Sequence, residues 1–248
     1  MLKLYGYYRS SAAYRVRIAL ELKSLNWESV PVNLRFGEQK NESFSQHNPQ
    51  GLVPMLESSG QFFAQSLAII EYLEELHPEP PLLPSGTAQR ARVRGMAHQI
   101  AMEMHPLNNL RVLKYLENEL GLNEEKKSSW YQHWIAEGFR PLEKTLKIYG
   151  SEGQFCFGES LSLVDVCLIP QVYNGLRFNC NLSEYYAYCV FYRIDLLKRC
   201  VLLFKTVQHA LVQKNNPSFC TYYSSNASSF SNFPQIESAA NRPPQQTP

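Results

Sequence analysis

The sequence lacks any uncharged apolar run of about 18 residues, the length that a membrane-spanning helix needs. Its first residues also lack an apolar stretch followed by a small-residue cleavage site, so no secretory leader is expected. Neither sign of charge is in excess. The net charge is +2 and the lysines and arginines are scattered, which argues against nucleic-acid or anionic-membrane partners. Cysteine is absent from the first half, and Cys156, Cys167, Cys180, Cys189, Cys200 and Cys220 show neither CxxC nor Cys/His spacing. Disulfides and metal ligation are therefore not expected, and these thiols read as buried or idle. These absences predict a soluble, cytoplasmic protein without a metal. The 248 residues suffice for one large domain or two smaller ones.

What is present begins with RSSAAYRVRIAL, Arg9 to Leu20, after the strand-like run Leu2 to Tyr8. Ala13, Val16 and Leu20 recur at helical spacing, so Ser10 and Ser11 fall at a helix entrance. Unpaired backbone N–H groups and the positive end of the helix dipole face outward there. Ser10 and Ser11 can serve as an N-cap, and the same geometry can hold an anion such as a phosphate, a carboxylate or a thiolate.

Further along, Trp27 to Val32 has strand composition and 33–41 is a polar loop. NPQGLVPMLES leads into another short strand, and so does Gln61 to Phe63. QSLAIIEYLEEL, Gln65 to Leu76, places its apolar residues on one helical face. The expected order over about 76 residues is β, α, β, α, β, β, α. HPEPPLLPS is too rich in proline for helix or central strand and reads as a linker. Thr87 to Asn174 has helical period, giving a small α/β domain joined to an all-helical one. Within that part, Ser162-x-x-Asp165 is an acidic capping box that fixes a helix start. In HPLNNLRVLKYL, a helix interrupted at Pro106 carries His105, Asn109 and Arg111.

Taken in register, Arg9-Ser10-Ser11 with RVRIAL, the NPxxxVP segment Asn48 to Pro54, QSLAIIEYLEE, HPLNNLRVLKYL and SLVDVCLIPQVYN resemble the zeta class of glutathione transferases, a class that includes maleylacetoacetate isomerases. The resemblance covers residues 1 to about 185. It implies a glutathione transferase fold, with an α/β thioredoxin-like N-terminal domain at 1–82 and an all-α C-terminal domain at 87–213. Residues 214–248, rich in Ser, Asn, Pro and Gln, read as a disordered tail.

The resemblance also implies the site. Glutathione would be the cofactor, held by Ser10, Ser11, Ala12, Ala13, Tyr14, Arg15, Gln39, Val53, Pro54, Gln65, Ser66, His105, Asn109, Leu110 and Arg111. A cis Val53–Pro54 bond would turn the valine's N–H and C=O toward the tripeptide, which then pairs like an added strand. Gln65 and Ser66 would take the γ-glutamyl carboxylate at a helix start. Gln39 would reach the glycyl end. Ser10 and Ser11 would be catalytic, Ser10 as the principal hydroxyl. A free thiol titrates near about 8.5, and a hydroxyl donor plus a helix N-terminus favour its charged form.

The implied activity is isomerisation of maleylacetoacetate to fumarylacetoacetate in tyrosine and phenylalanine breakdown, by addition to and elimination from the cis double bond with glutathione regenerated. Glutathione transferase activity is the implied side chemistry. Arg9, Arg111 and Arg177 are the candidates for the substrate's carboxylates. Arg177 also reads as a surface arginine at a helix end. A homodimer is implied. Maleylpyruvate isomerisation, and a non-catalytic interaction module of the same fold, are the alternatives.

Two departures stand out. The class reads Ser-Ser-Cys where this chain has Ser10-Ser11-Ala12, so a second thiol is missing from the site while glutathione would bring its own. Resemblance also stops after Tyr185 and resumes near Pro234, which predicts a non-homologous insertion at 186–233. Val190, Ile194, Leu197, Val201 and Phe204 keep helical spacing within it.

Overall fold

A computed structural model describes residues 1–150, 153, 155–182 and 185. The expected helix around Val190 to Phe204, the insertion at 186–233, the tail at 214–248 and the far end of the helical domain lie outside the described residues.

The first strand, β1 (Leu2–Gly6), feeds α1 (Ser11–Leu22) and then β2 (Trp27–Pro31), which pairs in parallel with β1. A 3-10 turn (Glu38–Lys40) and the short α2 (Glu42–Ser45) return the chain to β3 (Met55–Ser58) and β4 (Gln61–Ala64). These two strands are antiparallel neighbours, β3 also runs antiparallel to β1, and the sheet order is β2-β1-β3-β4. Their tight hairpin needs positive φ at both turn residues, and Ser59 and Gly60 have φ of 50° and 77°. Next comes α3 (Ser66–Leu76), so the expected β, α, β, α, β, β, α order is what the chain forms. Besides one-residue shifts at the ends of β2 and β4, two boundaries differ from expectation for a visible reason. The first strand stops at Gly6, because the chain turns through Tyr7 so that Ser10 N–H can donate to its carbonyl. The third helix starts at Ser66, because Gln65 takes φ +71° and cannot belong to it.

Hydrophobic burial explains the layering. Leu4 and Leu56 from the sheet meet Val16, Ala19 and Leu20 of α1 and Ile69, Ile70 and Leu73 of α3 in one buried cluster. Truncating one of these leucines to alanine would cost about 2–5 kcal/mol. The opposite sheet face carries a smaller cluster of Tyr7, Val32, Phe44, Val53 and Met55.

The helical part comprises α4 (Thr87–His98), a π-helical turn (Gln99–Met104), a 3-10 turn (Pro106–Asn108), α5 (Leu110–Asn118), α6 (Glu124–Tyr149) and α7 (Leu163–Arg177). Pro106 breaks the helix as expected. Gly138 of α6 lies so close to Met104 that an added Cβ would meet its side chain at 2.5 Å, so α6 and the π-helical turn can touch only without one. Val93, Ile100, Phe139, Val164 and Val166 join the same cluster as α1 and α3, making one core across both parts. Among the described residues, no helix is long and apolar enough to cross a membrane.

The proline-rich segment after α3 is packed. Leu82 and Leu83 are buried and donate their N–H groups to Glu74 Oε1 at 2.9 and 3.2 Å. Lys23 Nζ donates to the carbonyls of His77 and Pro80 at 2.6 and 3.0 Å and pairs with Glu74 at 2.7 Å. Prolines leave carbonyls without regular partners, and one buried lysine collects them.

Candidate functional site

The start of α1 is fixed from two sides. Ser10 is its N-cap, with Oγ accepting from Ala13 N–H at 3.2 Å. Accepting that bond leaves the hydroxyl proton free to be donated elsewhere. Ser11 is buried, and its Oγ accepts from Asn174 Nδ2 of α7. Asn174 Oδ1 in turn accepts from Arg177 Nη1 at 3.3 Å, so one amide ties the second serine to the end of α7. Arg177 is exposed and also lies over the Phe178 ring, 5.5 Å from its centroid.

One turn beyond Ser11, Arg15 is only 2% exposed and donates from Nη1 to Ser66 Oγ at 3.3 Å. Its Nε and Nη2 are sealed from solvent and find no hydrogen-bond partner among the described residues. Burial pulls its guanidinium pKa down, although an arginine stays charged at any ordinary pH. An uncompensated buried charge costs several kcal/mol, so this is an expensive residue to keep. On α7, Cys167 lies within electrostatic reach of Arg15, and Gln171 has two buried amide atoms without partners among the described residues.

Ser66, buried, opens α3. Before it, Gln65 holds φ +71°, a left-handed value unusual for a residue with a side chain, and donates from Nε2 to Gln50 Oε1 at 2.6 Å. Val53–Pro54 is cis, just ahead of β3. Ala13 is buried in the first turn of α1. Ala12 is partly exposed beside it, and Tyr14 meets Tyr173 of α7 edge-on. Arg9 lies over the Tyr8 ring at 5.2 Å. Gln39 sits in the 3-10 turn with a buried Oε1 that has no partner among the described residues.

The helical side adds a neutral imidazole between cations. Burial first, then the Arg15 and Arg111 guanidiniums, pull the His105 pKa down from 6.5 to about 3. Asn109 is the N-cap of α5, its Oδ1 accepting from Arg111 N–H at 3.1 Å. Leu110 and Arg111 occupy the exposed first turn of α5. The structure thus brings Ser10, Ser11, Arg15, Ser66 and His105 to the meeting of α1, α3 and the helical part. Gln39 places its backbone carbonyl against Gly51, next to Gln50, the partner of Gln65. The residue that sequence reasoning missed is Asn174, which holds Ser11. Asn174 stands three residues before Arg177 on α7, and that spacing puts the two on one face.

The described cysteines offer no nucleophile of their own. Burial pushes the Cys167 and Cys180 thiols up to about 11, and burial beside Asp165 pushes Cys156 well above its usual value. The capping box is formed: Asp165 Oδ2 accepts from Ser162 N–H at 2.8 Å and Oδ1 from Cys156 N–H at 3.0 Å. It stabilises the fold and does not reach the site.

Residues 4–81 match the model of the glutathione S-transferase N-terminal domain. A Vibrio cholerae protein named "Probable maleylacetoacetate isomerase" is 51% identical over 184 residues, 73% of this chain and 85% of the relative. A solved holo maleylpyruvate isomerase, described as a bacterial glutathione S-transferase of the zeta class, is 38% identical. It superposes with a TM-score of 0.76 over 80% of this chain and 95% of its own. A maleylacetoacetate isomerase from Methylobacterium extorquens AM1, solved with bound malonate and glutathione, is 36% identical with a TM-score of 0.76, covering 82% and 95%.

Proposed function

The chain belongs to the glutathione transferase family, in its zeta-class maleylacetoacetate isomerase branch, and from that premise we propose that it is a glutathione-dependent cis-trans isomerase converting maleylacetoacetate to fumarylacetoacetate. The observation that carries the reading is the start of α1. Ser10 has its acceptor side taken by Ala13 N–H and its proton free, at the positive end of a helix, beside a second hydroxyl fixed by Asn174. A buried arginine with unpaired nitrogens, linked to Ser66 where α3 begins, fits an anionic cofactor.

Bound glutathione supplies a thiolate that adds to the cis double bond and leaves again. The chain's own residues do the rest. Ser10 donates a hydrogen bond to the sulfur and stabilises its charged form, with Ser11 as neighbour and partial substitute. Val53 ahead of cis Pro54 pairs with the tripeptide backbone, Gln65 and Ser66 hold the γ-glutamyl carboxylate, and Gln39 serves the glycyl end. His105, neutral at working pH, lines the pocket with Asn109 and Leu110. Arg9, Arg111 and Arg177 take the substrate's two carboxylates. The family supports a cytoplasmic homodimer as the working form.

The test is the absorbance of maleylacetoacetate followed with and without glutathione. Turnover that requires glutathione is expected, and its absence with folded protein contradicts the reading. Likeness to the holo maleylpyruvate isomerase favours maleylpyruvate as a second substrate, to be compared by kcat/KM in the same assay.

A further inference from the structure

Arg15 presents a conflict that its own chain leaves unresolved. It is a charged side chain, 2% exposed, with Nε and Nη2 unpartnered among the described residues and Nη1 on Ser66 Oγ at 3.3 Å. The other buried cation of this part, Lys23, pairs with Glu74 and with two carbonyls. Sealed as it is, Arg15 cannot touch a ligand directly. It can act only through the group it contacts, the Ser66 hydroxyl at the start of α3. A hydroxyl that accepts from a guanidinium must point its own proton elsewhere, and here the positive end of an 11-residue helix lies beside it.

We propose that Arg15 is a positioning residue for the cofactor's α-carboxylate: it orients the Ser66 hydroxyl to donate to that carboxylate and supplies the countercharge from behind it. The inference rests on glutathione being the ligand. The buried guanidinium gains a counter-ion on binding, so part of glutathione's affinity is release of a penalty carried by the ligand-free protein. Selectivity for a γ-glutamyl thiol over a thiol lacking that carboxylate then resides in a residue that no ligand reaches.

The test uses glutathione and 4-aminobutyryl-cysteinyl-glycine, which keeps the amino group and lacks only the α-carboxylate. Their dissociation constants are measured by calorimetry on wild type, Arg15→Met, Arg15→Lys and Ser66→Ala. Wild type is expected to prefer glutathione by about 10- to 100-fold, the range for a hydrogen bond to a charged group. Arg15→Met and Ser66→Ala are expected to lose most of that preference, weakening glutathione while hardly changing the analogue, and Arg15→Lys to restore part of it. In turnover, the loss falls on KM for glutathione far more than on kcat. A role in folding alone would weaken both ligands equally and leave their ratio intact.

Full preference retained in folded Arg15→Met overturns the proposal. Should that variant not fold, full preference retained in Ser66→Ala does the same, since it cuts the link and keeps the buried charge. Wild type that binds both ligands equally also overturns it while leaving the glutathione reading standing. Wild type that binds neither overturns that reading itself.

Discussion

Asp165 and Arg15 are both buried charges, at the start of α7 and on α1, and their surroundings are opposite. Asp165 accepts from the N–H groups of Cys156 and Ser162 and from the Ser162 hydroxyl, all within 3.0 Å, so its own chain satisfies it. Arg15 makes one hydrogen bond, to Ser66, and leaves two nitrogens without a hydrogen-bond partner among the described residues. A buried charge saturated by its own chain serves folding. One left open where helix ends converge serves something that arrives.

The largest effect that can break this contrast is on stability. Asp165→Ala strands three donors and should lower the unfolding free energy by about 3–5 kcal/mol, read from the urea midpoint. Arg15→Met replaces an uncompensated charge with an apolar chain and should change it by less than about 1 kcal/mol, or raise it. Equal losses in the two variants would erase the distinction.

Ser10 comes next, because it both caps α1 and is proposed to hold the thiolate. Ser10→Ala should lower kcat by about 100-fold with a modest change in glutathione affinity. Since alanine also removes the cap, Ser10→Gly separates the two roles, as glycine costs a cap only a few tenths of a kcal/mol. Activity should fall equally in both, whereas a purely structural serine would leave Ser10→Gly nearly active.

A smaller loss, about tenfold in kcat/KM, is expected for Asn174→Ala, which frees Ser11 and Arg177 together. Because one amide links them, adding Arg177→Ala should cost less in that background than in wild type.

The smallest effect concerns pH. His105 has a folded pKa of about 3 against 6.5 ordinarily, so the unfolded chain binds the proton more readily between these values. Its contribution is fully present above 6.5 and is lost as pH falls toward 3, by roughly 1 kcal/mol at pH 5.5. His105→Gln should flatten that part of the stability profile.

How much of this was legible in the sequence depended on range. The β, α, β, α, β, β, α order was readable because strand-like composition alternates with helical apolar spacing along the first 76 residues, and the Ser162-x-x-Asp165 box because its partners are local. The resemblance assigned Arg15 to glutathione, but its burial behind Ser66 was not readable from RSSAAYRVRIAL. Within a helix, Arg15 and Arg17 look alike, and only Ser66, 51 residues away, shows which one is buried. Asn174 was hidden for the same reason, its partner Ser11 being 163 residues distant. The start of α3 was misplaced by one residue because the positive φ falls on Gln65 rather than on a glycine that would have announced it. Prolines marked the 77–85 segment as a break but could not show that Lys23 and Glu74 bind it down.

Ala12 sharpens the same point. The chain has Ala12 where the resemblance implies a cysteine, and Cys156, Cys167 and Cys180 are buried thiols, which fits the proposal that the reacting sulfur is that of bound glutathione. The most direct measurement is therefore the thiolate absorbance of bound glutathione titrated with pH, in wild type and in Ser10→Gly. Wild type should show a thiol pKa at least about one unit below the free value near 8.5, with the variant returning toward it. An unshifted thiol in wild type would contradict the assignment of Ser10 and of the α1 entrance.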